Sequence, residues 1–292
     1  MCFDSTVTPQ VMSYADFQQL SQPEPPAAFS YGSDPLQHVE LWKPEAAGPF
    51  PVILLIHGGC WQTSVAKAGI MGRLAAAFVD KGVAVWNVEY RGIDVPGGGY
   101  PGTFQDVAAA ADLLRDCGFA MGLDPTRVVA VGHSAGGHLA AWLAGRHAIP
   151  AGSVLWMDRP LALSGVVSLG GLLDLAEVRH AAAEACGADT VDRLVGPATM
   201  AHPDPYNDTS PVSLAPLGVA QVLVSGDLDT IAPPCFADHY AAKMQEQGDR
   251  VQKLTIADQG HFELITPGRP AADAAIAEAL RLLAIQEQDA QG

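Results

Sequence analysis

The chain has 292 residues, 49% of them hydrophobic and 16% charged, so it can bury a large core, and one large α/β domain fits as well as two small ones. Its 16 basic residues against 32 acidic ones give a net charge of -16, which argues against nucleic acid or an anionic membrane surface as partner. Five cysteines, at positions 2, 60, 117, 186 and 235, are widely spaced and never form a C-x-x-C pair, so neither a disulfide framework nor a zinc ribbon is expected.

Free thiols, Cys60 among them as a small space-filling one, point to a reducing, cytoplasmic home. The first twenty residues carry no cationic patch ahead of an apolar stretch, and no segment reaches the ~18 apolar residues of a membrane span. An exported or membrane-inserted protein is therefore not expected.

Residues 1–36, with Pro23, Pro25, Pro26 and Pro35, read as an irregular N-terminal arm, and residues 37–292 as one domain. Short runs dense in Val, Leu and Ile then predict strands at 38–44, 51–59, 83–91, 128–133, 163–171, 220–227 and 251–258. Between them, apolar residues at helical spacing predict helices at 71–82, 103–122, 137–147 and 234–248, with a last one at 271–288. This alternation predicts a mainly parallel central sheet with helices on both faces. The stretch 172–216 is longer than an ordinary connection of ~2–6 residues and reads as a small insertion.

Chemistry concentrates at the predicted strand ends. "VVAVGHSAGGHLAAWLA" (128–144) contains Gly132-His133-Ser134-Ala135-Gly136, a G-x-S-x-G motif between a strand and a helix. Two glycines free the turn of side chains that would clash, and the Ser134 hydroxyl is presented above the sheet as a nucleophile. The competing reading is a Gly-rich turn whose serine caps the helix. "LLIHGGCW" (54–61) ends another strand with two glycines, so that the Gly59 and Cys60 N–H groups, with that of Ala135, form a candidate oxyanion hole. His57 is read as a brace for this loop.

"VLVSGDLDTIAPP" (222–234) supplies Asp227 and Asp229. Asp229 is chosen as the acid, because Asp227 sits close enough to the strand end to hold the turn. Of nine histidines only His261, in "IADQGHFELI" (256–265), follows a strand end on a loop, which makes it the candidate base. No H-E-x-x-H, phosphate loop or dinucleotide fingerprint appears, so no metal and no cofactor are expected. Trp61 and Phe262 are noted as possible walls of an apolar pocket or ordinary packing.

These motifs, in this order, resemble the α/β-hydrolase superfamily over about residues 36–288. "HGGCW" with "GHSAGGHLAAWLA" is similar to the branch of kynurenine formamidases (arylformamidases) and HGG-type carboxylesterases, although members of that branch often carry an aromatic residue or glycine where this chain has Cys60. The resemblance implies an α/β-hydrolase fold and a Ser134–His261–Asp229 acyl-enzyme mechanism acting on a small-molecule ester. Hydrolysis of N-formyl aryl amides is the first alternative, and a catalytically silent relative that binds a small ligand is the second. A lipase is disfavoured because no long apolar lid stands out.

Overall fold

In the computed structural model, which describes residues 11–181, 183–200 and 202–289, the apolar runs become one eight-stranded sheet. Its strands are β1 (Ala27–Ser30), β2 (His38–Trp42), β3 (Phe50–Ile56), β4 (Ala84–Val88), β5 (Leu123–His133), β6 (Gly165–Leu169), β7 (Ala220–Gly226) and β8 (Val251–Ile256), in the spatial order β1-β2-β4-β3-β5-β6-β7-β8. β1, β2 and β4 pair antiparallel, and all remaining neighbours are parallel.

The strands are apolar on both sides because both sides are covered. Val52, Leu54 and Ile56 of β3 join a cluster with Phe104, Leu114, Trp142 and Tyr240 from helices α3 (Gly102–Cys117), α4 (Ala135–Gly145) and α8 (Pro234–Glu246). The alternate residues Ile53 and Leu55 join a second cluster with Leu74, Phe78, Ala275 and Leu282 from α2 (Gly72–Val79) and α9 (Pro270–Asp289). This is the α/β-hydrolase fold, with helices on both faces of a mainly parallel sheet.

The arm departs from the irregular chain expected over 1–36. Residues Tyr14–Gln18 form a short helix, α1, because Ser13 and Asp16 make a reciprocal capping box around its first turn. Ala27–Ser30 forms the edge strand β1 in antiparallel register with β2, Ala27 opposite Leu41 and Ser30 opposite His38. The prolines at 23, 25 and 26 stop short of this strand, so its backbone N–H groups remain available for the ladder.

Between β6 and β7 lie three further short helices, α5 (Leu175–Ala181), α6 (Ala183–Cys186) and α7 (Thr190–Val195). The expectation of free cysteines is corrected here: Cys60 and Cys186, 126 residues apart, are joined in a disulfide across a Cα–Cα distance of 5.4 Å. Cys117 and Cys235 are free, and Cys2 lies outside the described residues. Sequence spacing had no means of showing this pair, since only the tertiary fold brings the β3 loop to α6. The reducing compartment inferred from unpaired cysteines loses its basis. No helix among the described residues is long and apolar enough to cross a membrane.

Strand register positions the site. Ile56 of β3 lies opposite Gly132 of β5, His133 opposite Leu169 of β6, Leu169 opposite Val224 of β7, and Gly226 opposite Ile256 of β8. The loops that follow β3, β5, β7 and β8 therefore leave the sheet side by side along one edge, where crevices form in α/β sheets.

Candidate active site

Ser134 occupies the sharp turn between β5 and α4 with φ 54 and ψ -120, a strained conformation for a non-glycine residue. The flanking glycines are required by space. A Cβ on Gly132 would lie 2.0 Å from the Gly136 carbonyl oxygen, and one on Gly136 would lie 2.2 Å from the Ile56 oxygen. The turn is anchored by the Ser134 N–H, which donates to the Leu169 carbonyl at 2.8 Å. Ser134 heads α4 yet its side chain makes no capping hydrogen bond, so the helix-cap reading of this serine does not hold.

The β3 loop lies directly over the turn: a Cβ on Gly58 would approach the Ser134 Cβ to 3.0 Å and His133 Nδ1 to 2.9 Å. Gly59 follows at φ 99 and Cys60 at φ 54, both in the left-handed region, so the loop bends sharply here. Ala135 opens α4, so its N–H has no partner within the helix. These three donors are the expected oxyanion set, and Gly59 and Cys60 line the same cavity as Ser134.

His57 braces the loop. Its ring stacks on Tyr90 at 4.3 Å, its Nε2 meets Glu89 Oε1 at 3.1 Å, and the Tyr90 hydroxyl donates to its carbonyl at 3.0 Å. Burial opposes ionisation of Glu89, but the facing His57 and the Ala68 and Tyr90 N–H groups outweigh it and hold the carboxyl below the usual carboxylate range.

His261 and Asp229 meet, as their strand ends dictate. His261 Nδ1 lies 2.6 Å from Asp229 Oδ2, while Asp229 Oδ1 accepts the Ile231 and Ala232 N–H groups at 2.8 and 2.9 Å. The Asp229 side chain is fully buried, with every oxygen used. Asp227 is exposed, and its Oδ1 accepts the Gln259 N–H at 3.4 Å, as befits a turn-holding residue. Since Nδ1 faces a carboxylate it carries the proton, leaving Nε2 of His261 as the basic nitrogen.

Sequence reasoning missed Gly170, at the end of β6. It has φ 53, and a Cβ there would lie 3.0 Å from Asp229 Oδ2 and 3.1 Å from His261 Nδ1. The Gly170-Gly171 pair after an apolar strand was the available signal. His133, inside the turn, donates from Nε2 to the His261 carbonyl at 3.0 Å, and burial followed by the neighbouring His261 keeps its ring neutral, well below the ordinary histidine range.

A cavity of about 170 Å³ brings Ser134, His261, Gly59, Cys60, Phe262 and Tyr14 together. Three larger depressions among the described residues, one of them a groove of about 810 Å³ beside Ile93, Arg193 and Tyr206, are lined by neither Ser134 nor His261. Of the two aromatic residues noted in the sequence, Phe262 lines the cavity and Trp61 does not. Trp61 is wholly buried, its Nε1 donating to His138 Nδ1 at 3.2 Å, because the turn after Cys60 drives the indole into the core.

Similarities to known proteins stand beside this geometry. Esterase LipC of Mycobacterium tuberculosis is 28% identical over 256 residues, covering 82% of this chain and 60% of its own length. A probable isoprenylcysteine alpha-carbonyl methylesterase of Oryza sativa subsp. japonica is 23% identical over 276 residues, covering 89% of this chain and 64% of its own, so the chain spans about three fifths of these relatives. Among solved structures, esterase B from Lactobacillus rhamnosis superposes with a TM-score of 0.77 at 19% identity, over 95% of this chain and 93% of that one, a likeness of fold. The family model described as BD-FAE matches residues 39–244, from β2 through the β3 loop, the Ser134 turn and the Asp229 loop into α8; the chain belongs to the BD-FAE family.

Proposed function

We propose that the protein is a serine hydrolase of small carboxylic esters. The observation that carries this reading is the sharing of one cavity by Ser134, in a strained turn, and His261, whose far nitrogen is bonded to buried Asp229. Relatives described as esterases support the same class of bond.

In the proposed cycle His261 Nε2 takes the Ser134 hydroxyl proton as the oxygen attacks the ester carbonyl carbon. The carbonyl π electrons move onto oxygen, where the Gly59, Cys60 and Ala135 N–H groups stabilise the negative charge. Asp229 holds the imidazole in the Nδ1–H tautomer and stabilises its cation. Collapse expels the alcohol, which takes the proton from His261, and leaves an acyl-Ser134. Water, activated by His261 in the same way, releases the acid and restores the serine.

The cavity sets the expected size of substrate. At ~30 Å³ per water-sized group, about 170 Å³ accommodates roughly five or six non-hydrogen atoms, which favours acetyl-sized to butyryl-sized groups over long chains. Between an ester and a formamide the ester is favoured, because an anilide nitrogen must be protonated by His261 before it leaves.

The test is kcat/KM for aryl acetates of increasing acyl length against N-formylkynurenine, with mass spectrometry of the phosphonate-treated protein. Turnover of short esters with stoichiometric label on Ser134 is expected. A formamide preferred by more than about tenfold, or ~1.4 kcal/mol, would replace the ester reading with the arylformamidase one. Absence of any turnover and of any label would leave the silent binder.

A further inference from the structure

The cavity that holds Ser134 is lined on one side by a residue of the N-terminal arm. Tyr14, in the first turn of α1, lines it together with Phe262 and Val65. Its ring stacks on Phe262 with centroids 5.3 Å apart, and its hydroxyl donates to the Val65 carbonyl. Phe262 directly follows His261, and Val65 lies on the chain that continues the Gly59–Cys60 loop. Tyr14 thus spans from the base's loop to the loop of the oxyanion donors, across the mouth of the cavity.

The arm is fastened where it does this. Glu263, buried at 3% exposure, accepts the Met12 N–H through Oε1 and the Gly260 N–H through Oε2 at 3.1 Å, so one carboxylate ties the arm to the residue preceding His261. Phe17 is buried and also stacks on Phe262, at 5.6 Å. By contrast Tyr14 itself is only half-buried, and its neighbours Ala15 and Asp16 are exposed. Phe17 and Glu263 therefore hold the arm in place, while the Tyr14 ring faces the cavity.

We propose that Tyr14 is a specificity-determining residue, whose ring ends the cavity and limits the length of the apolar arm of the ester. This rests on the ester-hydrolase reading. The ring is a flat, stiff obstacle with two side-chain torsions, one fixed by stacking and the hydroxyl bond, so longer substrates meet a wall rather than a yielding chain. Removing the ring joins the cavity to solvent along the Phe262 face without touching Ser134, Asp229 or His261.

The experiment compares wild type with Tyr14→Phe, Tyr14→Leu and Tyr14→Ala on two homologous series, p-nitrophenyl esters of two-carbon to ten-carbon acids and acetates of ethyl to octyl alcohols. In the series whose variable arm enters this cavity, wild-type kcat/KM should fall steeply beyond about six non-hydrogen atoms, the room estimated at ~30 Å³ each. Tyr14→Ala should raise kcat/KM for the eight-carbon member by about tenfold or more relative to acetate, mainly through KM, with kcat on acetate kept within about twofold; Tyr14→Leu should fall between, and Tyr14→Phe should keep the wild-type cut-off. Thermal unfolding of each variant checks that α1 is retained, and Tyr14→Leu carries the test should Tyr14→Ala fail to fold. Unchanged cut-offs in both series across folded variants would overturn the role of Tyr14 while leaving the esterase reading intact. A wild type that hydrolyses no ester in either series overturns both.

Discussion

At the base of the cavity Ser134, Asp229 and His261 hang from the ends of β5, β7 and β8, whereas its cover comes from elsewhere in the chain. Tyr14 arrives on a helix of five residues and Ala185 on one of four, and they are held by a ring stack, a hydroxyl bond and the Cys60–Cys186 bridge. The base is fixed by parallel strand register: β5 and β7 are each held by ladders on both sides, and β8 by its ladder with β7. The cover is fixed by a handful of point contacts. A fold built in this way keeps its reaction type while its choice of substrate changes, because the cover can be remodelled without disturbing the sheet.

This division predicts that changes at the base cost rate on every substrate alike. Ser134→Ala should lower kcat on the order of 10⁶-fold, read in steady-state assays on an aryl acetate, and should abolish phosphonate labelling. Asp229→Asn should cost about 10⁴-fold, because the amide no longer holds the Nδ1–H tautomer of His261, while exposed Asp227→Asn should cost less than about tenfold. Comparable losses at the two aspartates would break the choice of Asp229 over Asp227.

The bridge tests where the cover meets the base, since Cys60 belongs to the loop after β3, which lies over the Ser134 turn, and Cys186 to α6. Reduction with a phosphine should lower unfolding free energy by about 2–4 kcal/mol, through the long loop it releases, and should lower kcat as the Cys60 N–H loses its anchor. Denaturant titration and kinetics on the same reduced sample measure both. A stability loss with unchanged kcat would confine the bridge to the cover.

His138 on α4 sharpens the comparison from below, because it joins the core beneath the turn to the insertion. It accepts from Trp61 through Nδ1 and donates from Nε2 to the Thr209 carbonyl at 2.9 Å, so a second ring proton would face the Trp61 N–H. Burial, only partly countered by the Thr209 bond, lowers its pKa to about 4. The native ring thus resists a proton that the unfolded chain binds at its ordinary ~6.5, so stability is complete above that pH and is lost as pH falls from there toward about 4. The loss attributable to this ring is on the order of 3 kcal/mol, and buried His133 acts in the same direction. Unfolding curves at pH 7 and 4.5 should differ less in His138→Gln than in wild type; equal differences would remove the ring from the account.

The strands were legible because a sheet covered on both faces needs continuous apolar runs, and β3, β5 and β7 carry them. Their order in the chain, with a glycine-flanked serine after one, an aspartate after another and a histidine after the last, was enough to name the residues that parallel register then set side by side. Trp61 shows where that reading stops. From sequence it stood beside the oxyanion loop as readily as Phe262 stood beside His261, yet a positive φ at Cys60 and Trp61 sends the indole into the core. Likewise α1 hid in an arm marked by prolines, and its capping box spans only Ser13 to Asp16.

The sequence by itself determined seven of the sheet's eight strands, the turn at Ser134 and the chain order of the proposed nucleophile, acid and base, because each is encoded by local periodicity or by glycines that a tight turn demands. Only the tertiary structure decided that Cys60 is bridged to Cys186, that Gly170 packs against both His261 and Asp229, and that Tyr14 lines the cavity. Those are contacts between segments far apart in the chain, and their partners share no spacing or period from which the pairing can be read.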